Sequence, residues 1–308
     1  MVGRVERPGL KGLDRKSNFL GLGPEDAEPE RAGVVILPVP YERTSSYVMG
    51  CFRGPQAILE ASPQLEYYDE ELDCEIYRLC GGIATLEPLD LFAETTGPAV
   101  VEKVRQTVAS LLEKGKFVVC LGGEHTSSLG AIRACRDRGD GKLSLLQLDA
   151  HSDLRDSYLG DPYSHASVMA RALEFVPRLV QVGIRSQDAQ ELAHPARDRV
   201  QTFYAHAIKT GKMPDWQERV LDALSDRVYI TIDADFFDPS VVPAVSTPEP
   251  GGFLWYETLE LLRKVTAAKD VVGFDICEFC PVDGLHYPDF TLARLLYKLI
   301  GYVWLKRV

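Results

Sequence analysis

The sequence predicts a single-domain, three-layer α/β/α fold on a mostly parallel sheet of about eight strands, and three observations lead there. Short apolar runs of strand length alternate with segments of helical apolar spacing along most of the chain. The runs are continuous rather than alternating, as in strands covered on both faces. No Gly/Ser tract, Pro-rich tract or fixed-period repeat divides the 308 residues, so one domain over 33–308 is expected, preceded by an arm over 1–32.

Taken in order, 1–32 is polar and interrupted by Gly21, Gly23, Pro24 and Pro29, which prevents a long helix. Val34-Val35-Ile36-Leu37-Pro38 reads as a buried strand and 40–46 as a loop, and Pro55 opens a helix over 54–62. A helix over 98–114 ends at Gly115, and Phe117-Val118-Val119-Cys120-Leu121 follows as a strand. The same rhythm gives a helix at 127–136, strand 143–148, helix 166–175, strand 179–184 and a weak strand around Phe203. Strand 227–232, helix 256–265, strand 271–276 and a closing helix at 290–304 complete it.

Composition narrows the function. No apolar run approaches the roughly 20 residues that span a bilayer, and Met1–Pro8 lacks the apolar core of a secretory signal. Seven scattered cysteines then read as reduced thiols in a cytoplasm. A net charge of -11 argues against nucleic acid and suits a cationic partner.

Polar chemistry gathers where strands end. Gly122-Gly123-Glu124-His125-Thr126, Asp149-Ala150-His151-Ser152-Asp153, Asp233-Ala234-Asp235 and Cys277-Glu278 each follow an apolar run, and parallel sheets build their sites at those ends. Strand alternation would point Asp149, His151 and Asp153 the same way. Any single aspartate is readily a helix cap. Two histidines and four aspartates together would repel one another without cations, and this oxygen-rich set suits Mn(II) better than structural zinc. Two metals sharing carboxylates would keep open positions and acidify a water, which describes a two-metal hydrolase.

These motifs resemble those of the ureohydrolase family of arginases and agmatinases, from about Val34 onward. The resemblance implies that His125, Asp149, Asp153 and Asp233 hold one Mn2+ and that His151, Asp149, Asp233 and Asp235 hold the other, with Asp149 and Asp233 bridging. It further implies that Asp153 orients the nucleophile and passes a proton, that His165 of Tyr163-Ser164-His165 is an acid, and that Glu278 pairs with a guanidinium. Thr247 of Thr247-Pro248-Glu249-Pro250-Gly251-Gly252 would border the substrate, and His165 would also contact it. Arg155 and the Thr247 loop look like bacterial and archaeal agmatinases. The implied reaction is agmatine to putrescine and urea, with N1-aminopropylagmatine or guanidinobutyrate as alternatives and a trimer or hexamer as the assembly. Ala244-Val245-Ser246 departs from the family pattern beside the distal pocket.

Blander readings stand beside these. Cys277-Glu278-Phe279-Cys280 lacks a second pair, Gly251-Gly252 turns the chain, His194, His206 and His286 have no partner motif, and 66–73 reads as a solvated helical face. Arg155 either pairs with an acid such as Asp156 or Asp161 or faces the pocket. A non-catalytic assembly protein and a one-metal zinc enzyme are the competing functions.

Overall fold

Val34–Val39 has no polar side chain to turn toward water, so it is stable only where both faces are covered. In the computed structural model of the chain all six of its residues are buried. Residues 10–94, 96–140 and 142–307 are described, so the expectation for Met1–Pro8 lies outside them. The strands are β1 Val34–Val39, β2 Ile83–Thr85, β3 Phe117–Gly122, β4 Leu143–Leu148, β5 Arg178–Ile184, β6 Val200–Tyr204, β7 Arg227–Asp233 and β8 Asp270–Cys277. They form one eight-stranded sheet in the order β2-β1-β3-β8-β7-β4-β5-β6, with every neighbouring pair parallel.

Helices cover both faces. Besides a five-residue helix at Ala205–Lys209, those longer than one turn are α1 Gly54–Ala61, α2 Gly97–Glu113, α3 Ser128–Asp137, α4 Val168–Ala172, α5 Trp216–Ala223, α6 Trp255–Ala268 and α7 Tyr287–Leu305. Side chains of α2, α3 and α4 share one apolar core with one face of the sheet, and those of α1, α5, α6 and α7 share the other. In α2 the buried residues Val100, Val101, Val104, Val108, Leu111 and Leu112 recur at three- and four-residue spacing, and the Thr96 hydroxyl caps the Ala99 amide. Among the described residues no helix is long and apolar enough to cross a membrane.

Several local expectations change. The strand β2 has three residues, too few to show a period, and escapes the sequence reading; so does α5. The helix expected over 166–175 is a 3-10 turn followed by the short α4. Its start is drawn toward the Asp153 carbonyl, which accepts the Met169 and Ala170 amides at 3.0 and 3.3 Å. Its far carbonyls, on Leu173 and Val176, are taken by the Arg199 guanidinium. Residues 10–32 lie along the β2 edge: Leu13 donates its amide to Thr85, Phe19 donates to the Thr85 hydroxyl, and Phe19 and Leu20 are fully buried. Gly12 and Leu13 thereby pair with the outer end of that edge, which covers part of its backbone.

The stretch 66–73 is not a solvated helical face. It carries half of a small ribbon, Tyr68–Asp69 against Cys74–Glu75, and Asp69 is fully buried. The buried Lys298 on α7 donates to Asp69 at 3.0 Å and Glu71 at 2.9 Å. Removing one partner of a buried pair strands the other charge. Lys298→Met should therefore lower unfolding stability by about 3 kcal/mol in denaturant titration, and a loss below the measurement error would show that Asp69 is satisfied without it.

Candidate metal centre and cavity

Four strands that are scattered in sequence, β3, β8, β7 and β4, are consecutive in the sheet, so their carboxyl ends converge. From these ends come His125, Glu278, Asp233 with Asp235, and Asp149 with His151 and Asp153. His125 Nδ1 lies 3.3 Å from Asp149 Oδ2, 3.1 Å from Asp153 Oδ2 and 3.5 Å from Asp233 Oδ2. On the other side, His151 Nδ1 lies 2.8 Å from Asp235 Oδ2 and 3.9 Å from Asp149 Oδ1. Asp149 thus turns one oxygen to each histidine. His125 and the four aspartates are almost wholly buried.

The convergence has a different cause from the one the sequence suggests. Strand alternation stops at Leu148; Asp149 Oδ1 then accepts the His151 amide at 2.6 Å, and Asp153 takes a left-handed backbone at φ 53°. Glu278 does the same at φ 59°. Such a conformation costs a non-glycine residue on the order of 1 kcal/mol or more and is kept where surrounding structure enforces it. It sends Asp153 toward His125 and leaves His151 with Asp235.

The hydrogen bonds around His125 decide its tautomer. The Thr231 hydroxyl donates to the buried Asp275 at 2.7 Å, so it accepts from His125 Nε2 at 2.9 Å. In the neutral ring Nδ1 is then a lone pair facing three carboxylates, and it is a buried nitrogen without a hydrogen-bond partner. A lone pair aimed at anions repels them unless a cation lies between. Two groups of possible ligands overlap there, His125 with Asp149 and Asp153, and Asp149 with His151 and Asp235. The donor set can therefore hold metal, and its carboxylate and imidazole chemistry fits Mn(II).

In the metal-free chain protons take the place of cations. Burial alone would depress His151, but Asp235, with Asp149 and Asp153 beyond it, pushes the ring up to about 11. Burial, then the charges of Asp153 and Asp235, pushes Asp149 up to about 7. Burial and the nearby Glu124 charge raise Glu278 to about 8.

A row of polar side chains lies beneath the cluster. The Arg197 guanidinium donates to Thr202 at 3.1 Å, the Thr202 hydroxyl to Gln181 at 2.8 Å, the Gln181 amide to Gln147 at 2.7 Å and the Gln147 amide to Asp149 at 2.7 Å. Gln147, Gln181 and Thr202 are direct partners across β4, β5 and β6, and Thr231 and Asp275 continue the row through β7 and β8. Arg185 clamps the outer loops, donating to the carbonyls of Asp235 at 2.6 Å and Glu249 at 2.9 Å.

Beside the cluster is a cavity of about 170 Å³ whose lining includes Ser46, Asp153, Tyr158, His165, Thr247 and Glu278. A larger hollow of about 660 Å³ beside α6 and α7 has no histidine in its lining. Glu124 accepts the amides of Arg43 and Thr44 and the Thr44 hydroxyl, at 2.7, 2.6 and 2.9 Å. Thr44 Oγ1, its proton committed to Glu124, accepts from His165 Nδ1 at 3.1 Å, which leaves Nε2 as the free ring nitrogen. Arg155 does not pair with Asp156 or Asp161. Its partner is Asp188 at 3.1 Å, while Asp156 pairs with Arg171, and Arg155 also lines the cavity. The Gly251 and Gly252 amides are spent on Asp238, and the seven cysteines are free thiols. His286 lies 3.4 Å from Asp289, and His194 Nδ1 accepts the Ala196 amide.

Residues 32–301 match the arginase family. The chain is 40% identical over 275 residues to an N1-aminopropylagmatine ureohydrolase of Synechocystis, covering 88% of this chain and 89% of that one. It is 32% identical over 270 residues to an agmatinase of Pyrococcus horikoshii, covering 88% and 92%. The solved agmatine ureohydrolase of Thermoplasma volcanium superposes with a TM-score of 0.79 at 30% identity, covering 96% and 94%.

Metal binding at this cluster would have to displace the protons that His125 and His151 hold. Because both rings are raised, they are charged at neutral pH in the metal-free chain, and affinity should strengthen as pH rises and weaken as it falls. Calorimetric Mn(II) titrations in buffers of different ionisation enthalpy should report release of two or more protons at pH 7, because Asp149, raised to about 7, is also partly protonated there. Uptake without release would mean that the histidines are already neutral.

Proposed function

Because the chain belongs to the arginase family and is a ureohydrolase, we propose that it releases urea from the guanidine end of N1-aminopropylagmatine, with two Mn2+ per chain as its cofactor. Agmatine is the second reading. The expectation of agmatine yields to the longer substrate because the relative named for aminopropylagmatine is 40% identical against 32% for the agmatinase. The observation that carries the reaction is the pairing of a buried glutamate with a His/Asp cluster on one small cavity. That volume suits a guanidinium and a few methylenes, and the remaining polyamine would extend through the mouth.

The ligand sets are those the family resemblance implies: His125, Asp149, Asp153 and Asp233 for one ion, His151, Asp149, Asp233 and Asp235 for the other. Bound there, the ions would neutralise the carboxylates and acidify a water to serve as nucleophile near neutral pH. Glu278 receives the guanidinium and fixes its carbon beside Asp153. Asp153 accepts a proton from the attacking water and returns it to the departing nitrogen. His165, held through Nδ1 by Thr44, presents Nε2 to the amine as it leaves. Arg155 keeps its charge on Asp188 and lies over the Tyr158 ring at 5.3 Å, so the mouth is not strongly cationic.

With added Mn(II), kcat/KM for N1-aminopropylagmatine should exceed that for arginine and guanidinobutyrate by at least about tenfold, or about 1.4 kcal/mol of discrimination. Arg155→Ala should keep that ranking in a urea-release assay, whereas faster guanidinobutyrate cleavage that vanishes in this variant would reverse the assigned polarity. Separately, His165→Ala should cut turnover by roughly 10²-fold with metal content intact by elemental analysis; unaltered turnover would make that histidine structural.

A further inference from the structure

We propose that Cys51 is a positioning residue for the reaction, acting through Glu278 as the second anchor of its carboxylate. The inference rests on the reading that Glu278 receives the guanidinium.

Glu278 lies one residue past β8 on a left-handed backbone, with no strand pairing to fix its side chain. Two hydrogen bonds do so. Oε1 accepts the His125 amide at 2.7 Å, and Oε2 accepts the Cys51 thiol at 3.3 Å. An ionised carboxylate offers about four lone-pair directions, so two remain for a guanidinium. The amide support comes from the metal-site loop. The thiol support comes from a different part of the chain, more than two hundred residues away, at the start of the turn leading into α1.

That turn is fixed against the glutamate loop by several contacts. The Gly50 amide donates to both oxygens of Glu42 at 2.8 and 2.9 Å, with Gly50 at φ 128°. A Cβ on Gly54 would meet the Phe279 carbonyl at 2.4 Å, so backbone packs on backbone there. The Cys280 thiol donates to the Met49 carbonyl at 3.2 Å, and Arg53 donates to the Pro281 carbonyl at 2.9 Å. Cys51 itself is fully buried. A thiol is a weak donor, yet here it has a rigid mount and a buried carboxyl oxygen as its acceptor. Its loss would let the carboxylate turn about its remaining bond to His125 and present its lone pairs less often in the orientation a planar guanidinium needs.

The test separates hydrogen bonding from packing. Cys51→Ala and Cys51→Ser leave nearly the same volume but only serine keeps a donor. Cys51→Ala should raise KM for N1-aminopropylagmatine about fivefold, with kcat near native and Mn(II) content unchanged, while Cys51→Ser should restore KM to near the native value. Should the alanine chain fail to fold, the isosteric pair Cys51→Thr and Cys51→Val asks the same question, with threonine expected to bind better. In a Glu278→Gln background Cys51→Ala should add nothing to KM, since their energies couple only through that contact. Equal losses in the alanine and serine chains, or additive losses in the double variant, overturn the proposal. A Glu278→Gln chain with native KM would instead overturn the role of Glu278, and an impaired Glu278→Gln chain beside a silent Cys51→Ala would overturn only that of Cys51.

Discussion

Four buried aspartates cannot share one small volume as anions unless positive charge is placed among them, and the centre of this molecule is arranged around that repulsion. Asp149, Asp153, Asp233 and Asp235 are each at least nine-tenths buried. Both histidine rings between them are raised in the metal-free chain, His151 to about 11, and they would serve as neutral ligands if metal replaced the proton. The Thr231 hydroxyl directs His125 Nδ1 into the carboxylates, and two residues accept left-handed backbones near the site. The apolar layers around it exclude water, which strengthens every one of these electrostatic interactions.

The cavity is then defined by a second set of constraints that belongs to no ligand. Glu124 gathers residues 43 and 44, and through Thr44 it orients His165. Ser246 donates to the Val48 carbonyl, and Cys280 donates its amide to Ala244. The unusual Ala244-Val245-Ser246 segment therefore joins the loop after β1 to the loop after β8. In the proposed function, substrate preference and metal binding would draw on different residues of the same strand ends, so that one could change while the other persists.

The sheet was legible in the sequence wherever a strand was long and wholly apolar, because burial on both faces leaves a run that helices rarely show. β2 was not, since Ile83-Ala84-Thr85 is too short to carry a pattern and depends on β1 for its identity. The cluster residues were legible because aspartates and histidines after four apolar runs have few competing explanations. Thr44, Cys51, Glu124, Thr231 and Asp275 were not singled out, although Glu124 stands inside a quoted motif. Their roles arise from partners far along the chain, and a lone threonine or cysteine carries no spacing by which to find it. Asp188, the partner of Arg155, was missed for the same reason: proximity in sequence favoured Asp156, while the end of β5 brings Asp188 nearer.

The polar row from Arg197 to Asp149 ends at β6, the edge of the sheet. Edges open locally at a fraction of the free energy needed to unfold a domain. Departure of Thr202 breaks a bond to Gln181, yet Gln181 still donates to Gln147 and to the Ser152 carbonyl, and Gln147 still donates to Asp149 and to the His151 carbonyl. Asp149 is set back from that edge by two glutamines, each tied to a loop carbonyl, and fraying of β6 would leave its oxygens in place.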